Sequence, residues 1–235
     1  MIKVSNSINN INLPQLSSYM QKSDTEFIID LILTMDYLSQ LQKDKKLAKI
    51  ITEQLPTLEV RQNIPLRLMA SIMSQQLNTK VAKIIYHRFL DLYGGEEPQP
   101  KQVLETSSET LRAIGLSNAK VTYVKNVAAF CIDNDITDAR LLSLGNEEVI
   151  ELMTQIKGVG RWTVEMLLMF TLGREDVFAV DDLGIQNAMV KVYNLPTEDK
   201  KLLKEKMLKI SSKWKPFRTY ACLHLWRYKD AAPQV

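Results

Sequence analysis

The sequence predicts an all-α protein, and three observations carry the prediction. Apolar residues recur at helical spacing along most of the chain, no useful stretch alternates with the period of two that marks a strand, and only 8 glycines and 8 prolines interrupt 235 residues. A chain of this length buries a sizeable core as one compact unit or two closely packed ones.

Residues 1–23 are rich in Asn, Ser and Gln and read as a loosely ordered lead-in or a short extended segment. Ser23-Asp24-Thr25-Glu26 then supplies capping residues ahead of Phe27, Ile28, Leu31, Ile32 and Met35, the pattern of a helix start. Leu47, Ile50 and Ile51 mark a second helical run. A long third run, Ile64–Leu92, ends at Gly94-Gly95. Beyond the loop Glu96–Pro100, helical patterns cover 101–113, 118–131 and 136–142, broken at Gly115 and near Asp133-Asn134-Asp135. Asn146–Ile156 reads as a helix capped by Asn146, and Arg161–Leu172 as its successor after Lys157-Gly158-Val159-Gly160. The loop Arg174–Asp181 leads to helices over 183–193, 198–211 and 216–228, and no internal repeat is present.

Charge is spread unevenly. Residues 151–235 hold 14 Lys+Arg against 10 Asp+Glu, and residues 1–150 hold 16 against 17, so the positive excess lies towards the carboxyl end and weakly favours an anionic ligand there. Two cysteines, Cys131 and Cys222, are too few for a thiolate zinc site or an iron–sulfur cluster and suit a reduced, intracellular setting. No metal site is expected. The first residues lack the apolar run of a signal peptide, and Phe27–Met35 is too short for a membrane span.

The most informative segment joins two apolar helices through Ile156-Lys157-Gly158-Val159-Gly160. Two glycines one residue apart leave backbone N–H groups uncovered, and Gly160 opens a helix whose positive dipole end attracts phosphate. Lys157 and Arg161 add charge, Thr163 offers a hydroxyl to the same phosphate, and Val159 is suited to plug the turn into the core. Read in isolation, Gly-X-Gly is also an ordinary tight turn between helices. Here it is followed at short range by the acidic pair Asp181-Asp182.

From Leu152 through the hairpin to Trp162, Phe170, Gly173, Asp176, Phe178, Asp181, Asp182 and Gly184, the chain resembles the helix-hairpin-helix superfamily of DNA glycosylases, in particular the AlkA-type 3-methyladenine DNA glycosylase II branch. Further matches are Ser71–Leu77 with Ala82 and Arg88, Leu111–Lys120, and Trp214–Ala221, so the resemblance runs from about Leu41 to Tyr228. It implies two helical subdomains with a central cleft: 64–174, ending in the helix-hairpin-helix, and a discontinuous unit of 1–63 plus 175–235 that carries the catalytic aspartate. The separate amino-terminal β-domain of the bacterial enzyme that names the branch is expected to be missing. Two departures stand out. Val180 replaces the proline that usually precedes the aspartate loop, leaving the loop's rigidity open, and Met166 replaces a pocket aromatic, leaving the substrate range open.

The implied reaction is hydrolysis of the bond between sugar C1′ and an alkylated purine, flipped out of double-stranded DNA, to leave an abasic site. 3-Methyladenine and 7-methylguanine are the expected substrates, with hypoxanthine and ethenoadenine as further candidates. The developing oxocarbenium charge calls for a carboxylate. Asp182 matches the family's catalytic aspartate; Asp181 is expected to cap the following helix, though the two are adjacent enough to exchange roles. Trp162 stands in the region where bifunctional relatives carry a lysine nucleophile, and no lysine occurs between Gly158 and Asp182, so lyase chemistry is not expected. Trp162, Trp226 and Met166 would line the substrate pocket, the indoles stacking on a cationic base. Gln76, with Leu77 as the alternative, would wedge into the gap, and Lys157, Gly158, Gly160, Arg161 and Thr163 would hold the backbone. No cofactor is required, although the resemblance allows a monovalent cation on the hairpin carbonyls. A monomer is expected, located with the chromosome: cytoplasmic and nucleoid-associated in a bacterium, nuclear in a eukaryote. The rival from another class is a non-enzymatic helix-hairpin-helix protein that only grips DNA, which would need neither Asp182 nor the pocket aromatics.

Overall fold

A computed structural model describes residues 36–231, and the helix expected over residues 23–35 lies outside them. Every regular element among the described residues is helical. Helix α1, Tyr37–Leu41, starts on the Asp36 side chain. The next run forms only a 3-10 turn, Leu47–Ile50, because Asp44 folds back to accept from the Lys46 and Leu47 N–H groups and Ile51 is already extended.

The run from Ile64 to Leu92, expected as one stretch, is two helices. Helix α2, Ile64–Ser74, begins where Asp138 accepts from the N–H groups of Asn63 and Ile64. Helix α3, Thr79–Asp91, begins at Asn78, whose side chain accepts from Val81 N. Between them Gln76 takes a left-handed conformation at φ 60°. The apolar spacing carries across this break, so periodicity does not reveal it. Likewise 101–113 divides into α4, Pro100–Glu105, and α5, Ser108–Ala113, the latter capped by Ser107.

Helix α6, Asn118–Asp133, packs against α4 and α2, and α2 packs against α3. After α7, Asp138–Ser143, helix α8 spans Asn146–Met153; its cap is Gly145, while Asn146 reaches instead to the Asp176 carbonyl. Helix α9, Arg161–Phe170, lies against α8 and α2. The remaining helices are α10, Leu183–Tyr193; α11, Lys200–Ser211, followed by a 3-10 turn at Ser212–Trp214; and α12, Arg218–Ala231.

Helix α12 ties the early and late parts of the chain together. It packs on α10 and on the Leu47–Ile50 turn. Tyr220 stacks on Tyr37 with centroids 4.1 Å apart, and Arg227 pairs with Glu53. The core around it is dense, with Trp214, Phe89, Cys222 and Leu225 fully buried. Burial pushes the thiols of Cys131 and Cys222 up to about 12, so both are inert core residues.

Candidate active site

The loop into α10 is built by α12. Arg218 grips Asp176 through two bonds of 2.5 and 3.0 Å. Thr219 donates its N–H to Glu175 O and its hydroxyl to Arg174 O, while accepting from Val177 N. Phe178 and Ala179 are buried beyond these contacts. Val180 fits this loop differently from a proline: its N–H donates to Phe178 O at 3.0 Å, a bond a proline cannot make. The loop's order therefore comes from Arg218 and Thr219.

The chain turns into α10 at Asp182. Its Oδ1 accepts from Ile185 N at 2.8 Å, so Asp182 is itself the helix cap. This corrects the assignment of the cap to Asp181, which instead pairs with Lys204 of α11. The carboxylate has two further donors. Trp226 Nε1, from α12, reaches Oδ1 at 2.9 Å, and Trp162 Nε1, from the first turn of α9, reaches Oδ2 at 2.8 Å. Gly184 makes room for this arrangement: a Cβ there would lie 3.0 Å from Asp182 Oδ1 and 3.1 Å from the Trp226 ring.

Along α9, Trp162, Met166 and Phe170 follow one another at four-residue spacing and so share a face. Phe170 is 43% exposed, and its ring centroid lies 6.0 Å from that of Trp226. Met166 and Phe170 line a cavity of about 370 Å³ with Ser71, Ser74, Arg61 and Tyr86. Phe170 was not foreseen as a site residue; its spacing from Trp162 was the available signal. Leu183, next to Asp182, is 69% exposed.

At the hairpin, Ile156 and Val159 are buried, as expected of a plug, and Lys157 and Gly158 are exposed. Gly158 has φ 102°, and a Cβ on it would come within 2.2 Å of Tyr123. Asn126 donates to Lys157 O at 2.9 Å, so α6 fixes the turn from behind. Gly160 caps α9 with open space where a side chain would stand.

Two residues expected at phosphate have partners within the protein. Arg161 is held by Glu147 at 2.8 Å and Glu165 at 3.0 Å, so its charge is already paired. Thr163 is buried and its hydroxyl accepts from Gln75 Nε2 at 3.3 Å, which turns it inward, away from the turn's surface. Gln76 stands exposed at the tip of the α2–α3 turn, whereas Leu77 is half-buried against the core. The structure thus brings Asp182, Trp162 and Trp226 together one helical turn from the hairpin.

A profile described as the HhH-GPD superfamily of base excision DNA repair proteins matches residues 69–213. The chain belongs to this superfamily. DNA-3-methyladenine glycosylase 1 of Schizosaccharomyces pombe is 37% identical over 211 residues, spanning 88% of this chain and 91% of the yeast protein. The structure of the S. pombe 3-methyladenine DNA glycosylase in complex with abasic DNA matches with a TM-score of 0.73 at 35% identity, covering 86% of this chain and all of that one. A Bacillus halodurans DNA-3-methyladenine glycosidase also matches at 0.73, with 34% identity over 84% of this chain and 91% of that one. This HhH-GPD protein is a DNA repair glycosylase, and the all-helical architecture read from its sequence holds. Among the described residues no helix is long and apolar enough to cross a membrane.

Proposed function

We propose that this HhH-GPD protein is a monofunctional glycosylase that flips 3-methyladenine or 7-methylguanine from duplex DNA and hydrolyses the N-glycosidic bond, with Asp182 as the catalytic carboxylate. The observation that carries the reading is the convergence of two indole N–H groups on that carboxylate. Three donors hold both oxygens in one orientation, and the first turn of α10 adds the positive end of its dipole. Such a preorganised charge stabilises a sugar that is becoming an oxocarbenium ion. The C1′–N bond breaks with its electron pair going to the base, and an alkylated, cationic purine leaves as a neutral molecule. Water then adds to C1′ and gives up its proton towards Asp182.

With their N–H groups committed, Trp162 and Trp226 have only their ring faces to offer, the surfaces a cationic base prefers. Met166 makes the pocket softer than an aromatic would, so hypoxanthine and ethenoadenine are candidates as well. Gln76 is the wedge, and the hairpin grips phosphate through Lys157 and the N–H groups of Gly158 and Gly160. The reading divides the chain into 64–174 and a unit of 1–63 plus 175–235, with the cleft between them, and places the protein on the chromosome: nucleoid-associated in a bacterium, nuclear in a eukaryote. The carbonyls of Ile156 and Lys157 each accept one hydrogen bond and keep a second lone pair with which a monovalent cation could be held. The mechanism does not pass through that ion.

The test uses duplexes bearing single alkylated purines, hypoxanthine or ethenoadenine, scored for abasic product. Asp182→Asn is expected to slow release by at least 10²–10³-fold, the scale on which lost transition-state electrostatics register, while binding to abasic DNA persists. Undiminished release would remove Asp182 from the chemistry. A protein that binds duplex DNA yet releases no base from any of these substrates is the non-enzymatic alternative.

A further inference from the structure

The turn between α2 and α3 is tied down from two sides. Lys120, half-buried on α6, donates Nζ to Met73 O at 2.9 Å and to Gln75 O at 2.7 Å. It forms no ion pair among the described residues. Its ammonium therefore answers carbonyls at the end of α2, where the helix dipole is negative. Burial lowers its pKa from the usual lysine range, the cost of holding a cation there. On the other side, Gln75 Nε2 reaches Thr163 Oγ1 at 3.3 Å, immediately after Trp162 on α9. Between these ties Gln76 is held exposed at φ 60°, a conformation a non-glycine residue seldom adopts unaided.

We propose that Lys120 is the positioning residue of the wedge: by clamping the carbonyls of Met73 and Gln75 it holds Gln76 at the height where it enters the base stack, in fixed register with Trp162. The proposal rests on the reading of Gln76 as the wedge. It gives Lys120, whose ammonium is spent on backbone carbonyls, a part in opening the duplex, and it gives buried Thr163 a part the sequence does not suggest.

Lys120→Met keeps the apolar stem and removes the donors; Lys120→Arg keeps a cation and its donors. Single-turnover release of 7-methylguanine is measured from a fully paired duplex and from the same strand with the lesion in a single-base bulge, already unstacked. A 2-aminopurine beside an abasic site reports stack opening by fluorescence. Lys120→Met should slow release from the paired duplex on the order of ten- to a hundredfold and blunt the fluorescence rise, with release from the bulge within about twofold of wild type. Lys120→Arg should recover most of the loss. Equal losses on both substrates, or no loss on either, overturn the proposal. If circular dichroism shows that Lys120→Met does not fold, Thr163→Val, which cuts the other tie, carries the same expectation and the same overturning outcomes. Gln76→Ala separates the two readings: without a paired-over-bulge defect in that variant the wedge assignment itself fails, whereas a defect there and none in Lys120→Met removes the clamp alone.

Discussion

An aspartate that opens a helix ordinarily turns its carboxylate to the N–H groups of the first turn. Asp182 does so through Oδ1 and still accepts from two tryptophans that come from different helices, 20 residues before it and 44 after. On the proposed reading the indoles have two duties, holding the carboxylate by the ring edge and meeting the base by the ring face. Phenylalanine separates them. Trp162→Phe keeps an aromatic face and removes one hydrogen bond to a charged group, worth about 1.5–3 kcal/mol. Base release should therefore fall roughly tenfold or more, with little change in affinity for abasic duplex, in a single-turnover assay against parallel binding curves. Wild-type release from Trp162→Phe would mean that the indole acts only by stacking.

At the scale of elements, the hairpin is legible because its chemistry is local: Gly158 is required by a φ of 102°, Val159 is buried in the core, and Gly160 opens α9 with no side chain in the space before it, all within five residues. The cap was misplaced because Asp181 and Asp182 look alike in sequence, and only Lys204, on the next helix, draws Asp181 away. The partners of Arg161 and Thr163 are hidden for the same reason: Glu147, Glu165 and Gln75, which engage them, are settled by packing that no local pattern records. The α2–α3 break is hidden because apolar spacing survives the four-residue turn Gln75–Asn78. A paired substitution tests what the hairpin glycines do. Gly158→Ala must fit a Cβ 2.2 Å from Tyr123 at a left-handed φ, so melting temperature and duplex affinity should both drop, with a stability cost of about 1–3 kcal/mol. Gly160→Ala meets nothing within 4 Å and has an ordinary φ of −92°, so it should fold as wild type. Weaker duplex binding in Gly160→Ala alone would then report a side chain in the path of a phosphate.

For the whole molecule, two buried groups set opposing pH dependences. Burial raises the Glu165 carboxyl from 4.5 to about 7, against the pull of Arg161 and with the repulsion of Asp181 and Glu147. Burial lowers the His224 imidazole from 6.5 to about 4, helped by Arg227 and opposed by Glu53. Folded Glu165 holds its proton more tightly than the unfolded chain does, so its contribution to stability is full below pH 4.5 and declines as pH rises to about 7. His224 works in the opposite sense: its neutral form is the one the core accepts, so stability is full above pH 6.5 and declines as pH falls to about 4. Each swing amounts to about 3 kcal/mol. Between pH 4.5 and 6.5 the two slopes have opposite sign and nearly equal size, so these groups together leave wild-type stability almost flat there. Each substitution should uncover the partner's slope: in urea melts Glu165→Gln should gain stability as pH rises through that window, and His224→Leu should lose it. Parallel pH profiles for wild type and both variants would show that neither group changes its proton affinity on folding, and the balance would have to come from elsewhere in the molecule.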